Sequence, residues 1–100
     1  MSRIEPSDDF SKGMRTIERM ITEGAWAAGR SLATADFKWN RGWAVIPPPE
    51  MIDLQVRIGR RAVVGTFSRK DIEASADRVD RPEALRTIQR IIAEASQMRR

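Results

Sequence analysis

The sequence predicts an α+β domain: a long N-terminal helix, a small antiparallel sheet of two or three strands, then a short helix and a long C-terminal helix packed on the sheet. Three observations carry this. Apolar residues near both ends of the chain recur three and four positions apart, the period of a helix with one buried face. Ile52, Leu54, Val56 and Ile58 alternate with Asp53, Gln55 and Arg57, the period of a strand with one wet face. Gly59-Arg60 separates that run from a second one, Arg61 to Phe67, as a two-residue hairpin turn would. At 100 residues, 41% hydrophobic and 32% charged, the chain has the size and composition of one folded domain over residues 1–100, with residues 1–6 as a flexible start.

The first helix is expected from Ser7, a good N-cap, with Asp8 and Asp9 near the positive helix end. Its apolar stripe reads Phe10, Met14, Ile17, Ile21, Ala25, Ala28 and Leu32. Gly13, Gly24 and Gly29 each lower helix propensity by about 1 kcal/mol relative to alanine, so a bend or stop is expected near Gly24 or Gly29. Residues 36–46 read as strand or extended chain, and Pro47-Pro48-Pro49, which has no backbone donors, closes it as a rigid connector. After the hairpin, Ser68 caps a short helix, with Asp71 able to answer the cap and Ile72 and Ala76 on its inner face. Asp80-Arg81-Pro82-Glu83 starts the last helix, whose stripe is Leu85, Ile88, Ile92, Ala95 and Met98. Ile91 beside Ile92 makes this stripe wider than one face requires, which leaves room for a second helix or a homodimer partner.

The inventory of side chains excludes much chemistry. The chain has no His, Cys or Tyr, so the usual acid–base catalysts near neutral pH, the thiol nucleophile and disulfides are all missing. Asp8 with Asp9 and Asp77 with Asp80 are carboxylate pairs, but they sit at helix boundaries, where capping accounts for them. Zinc would want Cys and His, and no run of oxygen ligands has calcium-loop spacing. Gly59 and Gly65 are isolated and form no phosphate-cradling motif. The expectation is therefore no catalytic residue, no metal and no cofactor. No apolar run approaches the roughly 20 residues of a membrane span, and the first residues are charged, so the expected location is cytoplasmic with no membrane partner.

The net charge of +4 lies entirely in the second half. Residues 57–70 concentrate it in Arg57, Arg60, Arg61, Arg69 and Lys70 with no acid among them. Arginine forks pair with phosphate or carboxylate, which makes the hairpin a candidate binding site. Solvated edge-strand charges that block sheet-to-sheet aggregation account for the same residues. Phe37-Lys38-Trp39-Asn40-Arg41-Gly42-Trp43 interleaves aromatics with cations. Trp39, Arg41 and Trp43 could there stack on bases or anchor a protein interface, or the tryptophans could simply cover the sheet.

Gly59-Arg60-Arg61-Ala62-Val63-Val64, followed by Phe67-Ser68-Arg69-Lys70-Asp71-Ile72 and the helix from Leu85, resembles a family of short uncharacterised bacterial proteins in which a Gly-Arg hairpin leads into a Ser-capped helix. The resemblance covers the second half of the chain and implies a fold without an established activity. The functional expectation is a small non-enzymatic binding protein, a regulator or inhibitor that occludes a surface of a larger protein or nucleoprotein. Phage-borne inhibitors such as anti-CRISPR proteins match it by type, in size and in missing catalytic groups, with no motif behind the comparison. The alternative is a nucleic-acid-binding accessory protein using the basic hairpin and tryptophan stacking.

Overall fold

A computed structural model describes residues 8–39 and 50–97. Residues 1–7, with the expected cap Ser7, residues 40–49, with Arg41, Trp43, the rest of the expected extended segment and the three prolines, and the terminal Met98, Arg99 and Arg100 lie outside the described residues. Helix α1 spans Asp8–Ala27, followed by a single 3-10 turn at Thr34–Asp36. Strands β1 (Phe37–Trp39), β2 (Met51–Ile58) and β3 (Arg61–Ser68) come next, then helices α2 (Arg69–Ala74) and α3 (Pro82–Gln97). The α+β architecture read from the periodicities is the one observed.

Helix α1 continues through Gly24 and ends at Ala27, two residues before Gly29, whose φ of 87° is open to glycine and strained for other residues. The Gly29 amide donates to the Trp26 carbonyl and the Arg30 amide to the Ala25 carbonyl, so two otherwise orphaned carbonyls are satisfied in a Schellman ending. The expected stripe is correct as far as the helix lasts: Phe10, Ile17, Ile21 and Ala25 are buried and Met14 packs against them. Ala28 falls past the helix end and is exposed, while Leu32 returns to the core edge from the following loop.

The sheet has the order β1-β2-β3, antiparallel throughout. Phe37 faces Val56 and Trp39 faces Leu54, while Met51 to Ile58 pairs residue for residue with Ser68 back to Arg61. Strand β2 alternates without exception: Ile52, Leu54, Val56 and Ile58 are buried, and the residues between them are exposed. Each such aliphatic side chain, moved from water into the core, contributes about 1.5–3 kcal/mol. Val63, Gly65 and Phe67 of β3 share this inner face with Phe37 and Trp39 of β1, and the helices cover it. On the outer face Thr66 donates its hydroxyl to Asp53 Oδ1 at 2.8 Å, across a directly opposed pair.

Ser68 caps α2 as its sequence suggested, accepting the Asp71 amide at 3.0 Å. On α3 the buried line is Ala84, Ile88, Ile91 and Ala95, so the helix is turned slightly from the expected stripe, and Leu85 and Ile92 lie at its margin. The reason is close packing at glycine. A methyl group on Gly65 would stand 2.7 Å from Thr87 Cγ2 and 2.8 Å from Ile91 Cδ1, while one on Gly24 would overlap Ile92. Ile91 thus seats on the sheet and Ile92 on α1, and the width that suggested a second subunit is used within the chain. Gly13 plays the same part for α2, because a methyl there would overlap the Ile72 carbonyl oxygen. Thr16, buried beside this crossing, shares its hydroxyl between the Lys12 and Ala76 carbonyls. Arg90 ties α3 to the edge strand, donating to the Val64 carbonyl at 2.8 Å and to Glu94 at 2.9 Å. Among the described residues no helix is long and apolar enough to cross a membrane.

Candidate binding site at the hairpin tip

The β2–β3 turn depends on Gly59, whose φ of 65° lies in the left-handed region that other residues enter at a cost of about 1–2 kcal/mol. That turn sets three guanidinium groups around one end of the sheet. Arg57 projects from the outer face opposite Ala62, Arg60 occupies the turn, and Arg61 opens β3 opposite Ile58. All three are exposed, and none of their side chains makes an ion pair or hydrogen bond with any described residue. With Gln55, Gly59 and Ala62 they line an open cleft of about 490 Å³. Mutual repulsion among three such cations is screened by water and salt, so the arrangement is tolerable for the free protein. It leaves the guanidinium donors available for carboxylates or phosphates.

Arg69 and Lys70 do not join this cluster. Strand β3 runs from Arg61 to Ser68, and at about 3.3 Å per residue it places them roughly 25 Å from the tip. There the Arg69 guanidinium lies 3.5 Å from Glu50 Oε2, and its amide donates to the Glu50 carbonyl at 2.7 Å. Arg69 therefore holds the start of β2 against the start of α2. Lys70 is exposed in the first turn of α2. Five cations close in sequence form two separate groups.

Trp39 lies on the inner side of β1. Its ring centroid is 5.9 Å from that of Phe67, and its indole N–H donates to Glu18 Oε2 at 2.6 Å. The side chain bridges α1 to the sheet, the covering role weighed for it above. Arg41 and Trp43 lie outside the described residues.

The solvent side of α1 carries residues that the sequence reading passed over. Trp26 is 71% exposed, more than any other large apolar side chain among the described residues. Arg15 and Arg19 share its face of the helix and have no ionic partner among the described residues. The signal was present: Trp26 stands nine residues from Ile17, half a rotation away on a 3.6-residue period, so it must face away from the core when Ile17 faces in. Among the described residues no group of three or more acidic side chains could hold a metal ion. Asp80, of the Asp77 and Asp80 pair, lies 3.8 Å from Arg78 in an exposed ion pair. Comparison of the chain with protein-family models, with curated proteins and with solved structures finds no match.

Proposed function

We propose that this chain is a non-enzymatic binding protein whose hairpin tip docks on an acidic surface of a larger protein or nucleoprotein and occludes it. The observation that carries the reading is the cluster of Arg57, Arg60 and Arg61, held around a glycine turn with no acid among the described residues paired to them. Arginines at a protruding turn reach a partner without rearranging the core, and a bidentate fork on carboxylate or phosphate gives direction as well as attraction. The lack of His, Cys and Tyr in the sequence favours binding over catalysis. An inhibitor of phage type is one member of this class.

A nucleic-acid partner remains the second reading, because the same forks suit phosphates. It has lost one support, since Trp39 is engaged with Glu18 and Phe67 and offers no open stacking platform. Affinity capture from bacterial lysate with the unaltered chain and with Arg57→Glu/Arg60→Glu/Arg61→Glu tests the assignment. Loss of the captured partner in the variant is expected. Equal recovery by both would remove the hairpin from the interface. Binding of oligonucleotide that falls steeply with added salt would move the reading to nucleic acid.

A further inference from the structure

A second site lies between α1 and the 3-10 turn, apart from the hairpin tip. An open groove of about 500 Å³ runs there, with Arg15 and Arg19 on its rim, Thr22 along one wall, and Leu32 and Phe37 supplying apolar surface. The two arginines are one helical turn apart, so their guanidinium groups can meet neighbouring anions on one ligand. Inside the groove is one acid, Glu18, whose Oε2 accepts the Trp39 indole N–H. The groove therefore carries two cations around a fixed carboxylate, a net charge of only +1 beside apolar surface.

This combination separates two kinds of anion. A nucleic-acid strand brings a charge at every phosphate and would set that row against Glu18, and the groove offers its bases a single half-buried ring, Phe37, to stack on. A peptide that places one apolar side chain between carboxylates matches each part of the groove: its acids reach the rim, and its apolar group covers Leu32 and Phe37. Trp26, on the same outward side of α1 and one turn beyond Thr22, extends the surface with the residue type that most often anchors protein interfaces. We propose that the groove between α1 and the Thr34–Asp36 turn docks a short acidic protein segment carrying an apolar side chain between its carboxylates.

The ¹⁵N–¹H spectrum of the full chain, titrated with the blocked pentapeptide Asp-Glu-Phe-Glu-Asp, tests this. The amides of Leu32, Thr34 and Phe37 are expected to shift. Affinity should fall at least tenfold in Arg15→Glu/Arg19→Glu and likewise in the milder Arg15→Gln/Arg19→Gln, both checked for retained fold by circular dichroism. It should change less than twofold in Arg86→Gln, an exposed arginine of α3 that does not line the groove. Three results would overturn the proposal: no shift of the groove amides at millimolar peptide, equal binding by a peptide with glycine in place of its phenylalanine, or stronger shifts of the same amides by an eight-residue oligothymidylate. Shifts confined to the hairpin amides would also reject the groove, while leaving the hairpin reading intact.

Discussion

The two ends of β3 carry cations of the same kind in opposite circumstances. At the tip, Arg57, Arg60 and Arg61 surround a turn and touch no acid among the described residues. At the other end, Arg69 is paired with Glu50, Ser68 caps a helix, and Ile72 lies against Gly13 of α1. One end of the strand is bound into the fold and the other is free to meet a partner. Charge density along the sequence does not distinguish them; pairing does.

Substitutions can break or sharpen this contrast, and they rank by size. Gly13→Ala should be the most damaging, since its methyl meets backbone rather than a movable side chain; forcing α1 from α2 is expected to cost about 3 kcal/mol, read as a lowered urea midpoint. Gly59→Ala tests whether the tip has a structural demand of its own. About 1–2 kcal/mol should be lost there, from backbone conformation alone, because a methyl at this position meets nothing within 4 Å. Ser68→Ala removes the α2 cap and should cost about 1 kcal/mol, with faster hydrogen exchange at the Asp71 amide as the local sign. Glu50→Gln should cost less than about 0.5 kcal/mol, because the ion pair is largely exposed on the Glu50 side. Smallest of all, Arg60→Gln/Arg61→Gln should leave the thermal midpoint unchanged while weakening partner capture. A marked loss of stability in that variant would mean that the tip arginines serve the fold.

The hairpin was legible because its signal is local: period-two alternation, a Gly-Arg turn and a strand of matching length follow one another without interruption. The Ser68 cap was legible for the same reason. What could not be read depends on which elements meet. Gly13, Gly24 and Gly65 look in sequence like weak points of their helices and strand, yet each is a place where a neighbour comes too close for a methyl group. The orientation of α3 follows from two of those contacts, so its apolar stripe alone placed the buried line one position off at Leu85 and Ile92. The split of the basic run is also tertiary. Arg61 and Arg69 are eight residues apart, which a helix would bring within about 12 Å, whereas a strand separates them by roughly twice that. Trp39 was ambiguous because an aromatic beside a lysine suits either face of a strand, and only the register with Leu54 fixes it inward.

The Arg90 contact bears on more than the docking of α3. The Val64 carbonyl points away from β2, toward the side where an incoming strand would extend the sheet, and Arg90 already occupies it while held by Glu94. A strand approaching β3 would have to displace a guanidinium before forming its first central hydrogen bond. The β3 edge is thereby guarded at this carbonyl against an added strand, by a side chain 26 residues further along the chain that reaches it only once α3 has docked. A chain in which the hairpin forms before α3 docks would lack this guard.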